Sequence, residues 1–199
     1  LRLARQVGKI PLRIGVTGTR GKSSVTRLIA ACLRDDGMSV LAKTTGSKPC
    51  LIFPDGSEQE IRRRGRISIL QEKKVLKTAA GSGVRAVVME MMSIRPESLQ
   101  TEVLRMLKPH VLVVTNVRPD HLDAVGDTKE DMARCFASAF PGESTVFVPE
   151  EEFDPVFAQE AEKCGAKIIP VPENGPGDAD GPAHEAPFDE FEQNVRLAV

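Results

Sequence analysis

The sequence predicts an α/β protein built on a mostly parallel, doubly wound sheet. Short β-branched runs alternate with stretches of helical spacing over most of the 199 residues, the pattern of strands joined by crossover helices. The run "RAVVMEM", Arg85 to Met91, is apolar on both faces, as a strand covered from both sides must be. The turn "TGTRGKSS", Thr17 to Ser24, lies between a strand and a helix. A glycine-rich turn in that place presents backbone N–H groups and a helix N-terminus to an anion.

The elements follow in order. "RIGVT" (Arg13–Thr17) is the first strand. Val25, Leu28, Ile29, Ala31, Cys32 and Leu33 then recur at helical spacing up to Gly37, a natural stop. "MSVLAKT" (Met38–Thr44) reads as a second strand, with Gly46 and Pro49 in the loop behind it. Two short extended runs flank Pro54, Asp55 and Gly56 and predict a hairpin. "ILQEKKVLKTAA" predicts a helix that stops at Gly81-Ser82-Gly83, ahead of the buried strand at 85–91. A helix over about Pro96–Leu107 and the strand "HVLVVTNV" come next. A helix over about Thr128–Ala139, the strand "STVFV", a helix over about Asp154–Cys164 and the strand "AKIIPV" complete the alternation. Residues 1–171 are thus expected to form one nucleotide-binding domain. Residues 172–187, rich in Pro, Gly, Asp and Ala, predict a flexible linker. Residues 188–199 regain helical character and read as a hinge or the start of a C-terminal helix.

Composition narrows the class. With no Trp and no Tyr, the core must come mainly from Val, Ile, Leu and Ala. No apolar run approaches the roughly 20 residues that span a bilayer, so this stretch is expected to be soluble. Four widely spaced cysteines without a C-x-x-C pair read as reduced, intracellular thiols. The net charge of −1 hides an asymmetry: residues 1–80 carry 17 Lys/Arg against 6 Asp/Glu, and residues 81–199 carry 10 against 22. The basic half suits phosphates or an anionic substrate, or is simply a solvated surface.

In open parallel sheets, ligands bind at the carboxyl ends of the strands, and three strand ends here carry suitable groups. In "TGTRGKSS" the backbone of Gly18, Thr19, Arg20 and Gly21 is suited to cradle phosphates, Lys22 to neutralise their charge, and Ser23 to meet Mg²⁺. A full phosphate loop reads G-x-x-x-x-G-K-[ST]; Val16 stands where its first glycine would be. "VVMEMMS" places Glu90 where a buried strand opens, either as a Mg²⁺ ligand or paired with a cation such as Arg95. "TNVRPDHLD" puts Asn116, Asp120, His121 and Asp123 at the end of the next strand, a second metal or γ-phosphate contact.

Together these three stretches resemble the central ATPase domain of the Mur-ligase superfamily. That domain has G-T-x-G-K-[ST], a Glu shortly before a Ser, and D-H-x-D after the next strand, and its loop also lacks the first glycine. Further stretches, "RGKSSVTRLI", "KTTG", "LQEKKVL", "NVRPDHLDAVGDT" and "NVRLA", resemble the ATP-dependent subunit of poly-γ-glutamate synthases (the CapB/PgsB type). The resemblance implies ATP-dependent amide formation through an acyl-phosphate, with ATP and Mg²⁺ as cofactors. Folylpolyglutamate ligases, cell-wall precursor ligases and nucleotide-binding modules without ligase chemistry remain the alternatives.

Carried over residue by residue, the resemblance assigns the phosphates to Gly18, Thr19, Arg20, Gly21, Lys22, Ser23 and Ser24. It assigns the metal to Ser23, Glu90 and His121, catalysis to Lys22, Glu90 and His121, and adenine contact to Asn194. Lys43, Thr44 and Thr45 either contact substrate or shape a turn. Arg62, Arg63 and Arg64 either gather an anionic chain or form a basic loop. Two positions depart from the pattern. Arg20 stands where cell-wall ligases often carry Asn or His, and Cys135 stands at the offset where many relatives carry a carbamylated Lys. The implied partners are glutamate, the poly-γ-glutamate chain and membrane subunits of the synthase, with homo-oligomerisation open and no nucleic acid. The Leu1 start, the basic "LRLAR" and the end at Val199 suggest a cytoplasmic position behind an upstream membrane segment, with a C-terminal ligase domain absent from this chain. The chain alone is then expected to bind ATP but to form amide bonds inefficiently.

Overall fold

The computed structural model describes residues 2–46, 48–61, 70–118, 128–173, 193–194 and 197–198. Eight strands among them form one sheet: β1 (Leu12–Thr17), β2 (Val40–Lys43), β3 (Cys50–Ile52), β4 (Glu58–Glu60), β5 (Ala86–Glu90), β6 (Val111–Val114), β7 (Thr145–Pro149) and β8 (Lys167–Val171). Their order is β4-β3-β2-β5-β1-β6-β7-β8. The six strands from β2 to β8 in that order are parallel, and β3 and β4 add an antiparallel hairpin at one edge. Phe53, Pro54, Asp55 and Gly56 make the hairpin turn: Gly56 N donates to Phe53 O at 2.9 Å, and Gly56 takes φ 81°.

Helices cover both faces: α1 (Arg2–Val7), α2 (Lys22–Asp35), α3 (Leu70–Ser82), α4 (Pro96–Gln100), α5 (Lys129–Ala137) and α6 (Pro155–Cys164). Alternation along the strands divides the core in two. Leu41, Val87, Met89 and Leu112 join a cluster with Val75 and Leu76 of α3, Phe136 of α5 and Phe157 of α6. Val40, Ala42, Ile14, Val16 and Val88 join a second cluster with Val25, Ile29 and Ala30 of α2. Each such side chain, when fully buried, contributes about 1.5–3 kcal/mol before chain entropy opposes it. Gly15 of β1 is a packing requirement, because a Cβ there would lie 3.1 Å from Leu112 Cδ1 and 3.3 Å from Leu107 Cδ2.

Three details differ from the sequence reading. The basic N-terminal stretch forms α1, and Val7 and Ile10 behind it enter the core at 2% and 1% exposure. The second strand is shorter than "MSVLAKT", covering only Val40–Lys43. The helix expected over 96–107 is α-helical only to Gln100 and continues as π-helix over Thr101–Leu107. At its end Lys108 N reaches back to Val103 O at 2.8 Å. The apolar spacing conceals this change, because residues 103 and 107 share a side of the helix under either winding.

Most of the expected linker and of the final helix, residues 174–192, lies outside the described residues. Gln193 and Asn194 are helical, and Leu197 packs into the α2-side cluster. No described helix is long and apolar enough to cross a membrane.

Candidate active site

β1 is central, with β5 on one side and β6 on the other, so the loops after these strands open onto the same point of the carboxyl edge. The loop after β1 is held from β6. Thr19 N donates to Asn116 O at 3.2 Å. Arg20 N donates to Asn116 Oδ1 at 2.9 Å, while Thr115 Oγ1 and Asn116 Nδ2 donate to Arg20 O at 2.6 and 3.0 Å. Thr19 Oγ1 donates to Arg118 O and accepts from Arg118 N. The Arg20 backbone is therefore clamped while its side chain is exposed.

Two glycines make the close approach possible. Gly18 takes φ 124°, and a Cβ there would sit 2.2 Å from Thr115 Oγ1. Gly21 caps α2 with φ 76° and no side-chain cap bond, and its Cβ would meet Asn194 Oδ1 at 2.5 Å. The N-terminus of α2 thus brings its positively polarised end to the glycine loop, which suits an anion. Lys22 Nζ folds back onto Gly18 O at 2.7 Å and Thr19 O at 3.1 Å. Ser24 follows, half-buried, on the first turn of α2.

Glu90 ends β5 at 3% exposure, on the α2 side together with Val88. Its Oε2 accepts from Ser23 Oγ at 2.7 Å and from Thr45 N at 2.6 Å. These bonds satisfy the buried carboxylate in the way expected of Arg95 on one reading; Arg95 is instead exposed at the start of α4. Gly46 closes the group, since a Cβ there would lie 3.1 Å from Ser23 Oγ. A hydroxyl and a carboxylate side by side at a phosphate loop are the hard oxygen donors that Mg²⁺ takes beside phosphate oxygens. The site therefore fits the cation.

Lys43 corrects the expectation of a substrate contact. Alternation puts it with Leu41 on the α3 side, where Nζ pairs with Glu72 Oε1 at 3.2 Å and both side chains are at most 2% exposed. Burial outweighs the pull of Lys43 and, with the nearby Glu102, pushes Glu72 up to about 7. Thr44 is also buried, its N donating to Cys50 O at 3.0 Å across the β2–β3 turn and its Oγ1 accepting from Cys50 N at 3.2 Å. The main-chain N–H of Thr45 donates to Glu90.

Cys135 lies in the core at 3% exposure, its Sγ donating to Ile94 O at 3.1 Å. Burial, reinforced by Glu97, raises its thiol to about 11, so it stays protonated at neutral pH. Asp120, His121, Asp123, Arg62, Arg63 and Arg64 lie outside the described residues. Two groups escaped the sequence reading. Thr115 braces the loop, its only signal being its place at a strand end. Glu102, fully buried, accepts from Met92 N at 2.9 Å and from the Ser93 hydroxyl; a lone acid inside "TEVLRML" was its signal.

The family model described as Mur ligase middle domain matches residues 16–196. The chain belongs to the Mur ligase middle-domain family. This Mur ligase domain is 29% identical to PGA synthase CapB of Bacillus subtilis (strain 168) over 167 residues, which cover 83% of this chain and 42% of that protein. It is 30% identical to the capsule biosynthesis protein CapB of Bacillus anthracis over 167 residues, 83% of this chain and 36% of that one. The chain thus spans less than half the length of these curated relatives. Its fold matches E. coli FolC solved in complex with ADP, with TM-score 0.68 and 21% identity over 84% of this chain and 45% of that one.

Proposed function

We propose that this Mur ligase middle domain is the ATP-binding part of an acid–amino-acid ligase that joins glutamate into poly-γ-glutamate. The observation that carries the reading is the junction of Ser23, Glu90 and the Thr45 amide at the mouth of the short glycine loop. The two CapB relatives support the polymer as product and glutamate as substrate. The reading further proposes membrane subunits as partners and a position at the cytoplasmic face of the membrane.

In this reading the Gly18–Gly21 backbone and the α2 N-terminus receive the phosphates. Lys22 exchanges its two carbonyl bonds for phosphate oxygens and offsets their charge. Ser23 and Glu90, with His121, would hold Mg²⁺, which would supply neutralisation of phosphate charge. Asn194, beside Gly21, contacts the adenine in this reading. The substrate carboxylate attacks the γ-phosphorus as the bond to the β-phosphate oxygen breaks, giving an acyl-phosphate and ADP. The amine of the incoming glutamate then attacks the acyl carbon, loses a proton and displaces phosphate. Both steps bring anions together, so fixed N–H dipoles and the Lys22 cation act where charge develops.

The test is product analysis with radiolabelled glutamate and Mg-ATP in the full-length enzyme. High-mass polymer is expected, and Lys22→Ala, Glu90→Ala and His121→Ala should each lower turnover on the order of 10²-fold or more. Short folate-linked products would replace the polymer reading by a folylpolyglutamate ligase. No amide product from the wild type, with nucleotide binding unchanged in the Glu90 and His121 variants, would reduce the domain to a nucleotide-binding module.

A further inference from the structure

Beneath the mouth of the loop, on the opposite side of the sheet from Glu90, three ionisable side chains lie together in the interior. Lys43, Glu72 and Glu102 are 1%, 1% and 0% exposed. Burying an ammonium and two carboxylates costs several kcal/mol per ion before pairing offsets it, and an apolar trio of similar volume is often as stable. Stability alone therefore gives little reason for them.

Their attachments give a better one. Glu72 of α3 holds Lys43, the last residue of β2, at 3.2 Å. Two residues later the chain delivers the Thr45 amide to Glu90 Oε2 at 2.6 Å. Glu102, on the π-helical segment, accepts from Met92 N at 2.9 Å, Ser93 N at 3.3 Å and the Ser93 hydroxyl. Those donors begin two residues after Glu90. The two strands whose ends meet at Glu90 are thus each tied to a buried carboxylate, and the two carboxylates sense each other's charge.

We propose that Glu72, acting through Lys43, and Glu102, acting through Met92 and Ser93, are positioning residues that fix the Glu90 carboxylate against Ser23 from both sides. The proposal rests on the reading of Ser23 and Glu90 as metal ligands. Outer-shell partners of this kind commonly govern metal affinity by about 10–100-fold.

The experiment measures ADP binding to the full-length protein by calorimetry, with and without Mn²⁺ as the probe cation. The ratio of the two affinities reports the metal site, and the metal-free affinity reports the glycine loop. Two variants are compared with wild type: Glu102→Gln, and the apolar pair Lys43→Met with Glu72→Leu. The expected result is a ratio reduced on the order of tenfold in both, with metal-free ADP affinity unchanged. Rescue of the ratio by Glu72→Asp, but not by Glu72→Leu, would strengthen it. A wild-type ratio in both variants, while Glu90→Gln abolishes it, overturns the positioning role and leaves the metal site standing. A wild type with no Mn²⁺ dependence overturns both. Loss of the folded circular-dichroism signal in both variants also overturns the proposal, because these groups would then hold the fold rather than the site.

Discussion

Arg13 at the amino edge of the sheet and Glu90 at its carboxyl edge are both charged strand residues, yet their surroundings differ in kind. Arg13 donates from Nε to Lys108 O at 2.8 Å and from Nη1 to Ile10 O at 2.9 Å, and its Nη2 lies 2.9 Å from His110 Nε2. Burial, then the Arg13 charge, holds His110 below the usual imidazole value, so it accepts from Arg13 as a neutral ring. The guanidinium is thus committed to nearby carbonyls and a neighbouring ring, a structural use. At the carboxyl edge the donors come instead from three separate strand ends. They converge on one buried carboxylate and one short loop, while a buried Lys43–Glu72 pair lies on the other side of the sheet. The difference teaches that a charged cluster marks function when donors from several strand ends aim at one buried carboxylate beside a glycine loop. A cluster whose charge is spent on backbone carbonyls and a single ring marks architecture.

Breaking the carboxyl edge should have the largest effect. Gly18→Ala forces a Cβ to within 2.2 Å of Thr115 Oγ1 and 2.8 Å of Thr115 N at φ 124°. It is expected to cost about 2–4 kcal/mol in urea unfolding and most of the ADP affinity. A variant with wild-type affinity would erase the contrast. Next comes the buried acid beneath the site. The folded state holds the Glu72 proton up to about pH 7, whereas an ordinary glutamate releases it near 4.5. The folded state therefore binds more protons than the unfolded chain in that window, and stability falls as pH rises through it, by up to about 3 kcal/mol. Urea midpoints measured across the window should decline in wild type and lose that component in Glu72→Gln.

Smaller effects sharpen the comparison. Arg20→Ala keeps the backbone bonds to Thr115 and Asn116. Its ADP affinity should drop only a few-fold and mostly at low salt, as a screened surface charge would; a large loss at high salt would make Arg20 a direct ligand. Smallest of all, His110→Ala at the amino edge should lower stability by about 1 kcal/mol and leave ADP affinity within about twofold. A nucleotide-binding defect in that variant would show that the two edges communicate.

Much of this arrangement was legible in the sequence, because each part followed from local chemistry. Buried runs located β1, β5 and β6, and the glycine turn placed Lys22 and Ser23 at a helix start. The carboxyl-edge rule then brought Glu90 to them. Lys43 was misjudged although the alternation was readable: a residue two after Leu41 belongs on the Leu41 side, whatever its charge. Thr115 and the Thr45 amide were out of reach for another reason. Their contacts cross from one strand end to another, and nothing local to either residue names the partner. The split of the 96–107 helix was hidden because apolar spacing does not distinguish a slightly wider winding.

That winding has a consequence for insertions and deletions. A π-helical ring closes with one residue more than an α-helical ring, so Thr101–Leu107 behaves as an α-helix carrying extra length. Removing one residue after Glu102 would let the segment relax toward α geometry with its two flanks close to their present relation. Adding one would have no such outlet, and residues on either side of it would be turned by about 100° relative to each other. The apolar stripe on Val103, Met106 and Leu107 and the acceptor at Glu102 would then no longer face their present neighbours together. Insertions in this stretch should therefore be tolerated less well than a single deletion, even though it lies far in sequence from the glycine loop.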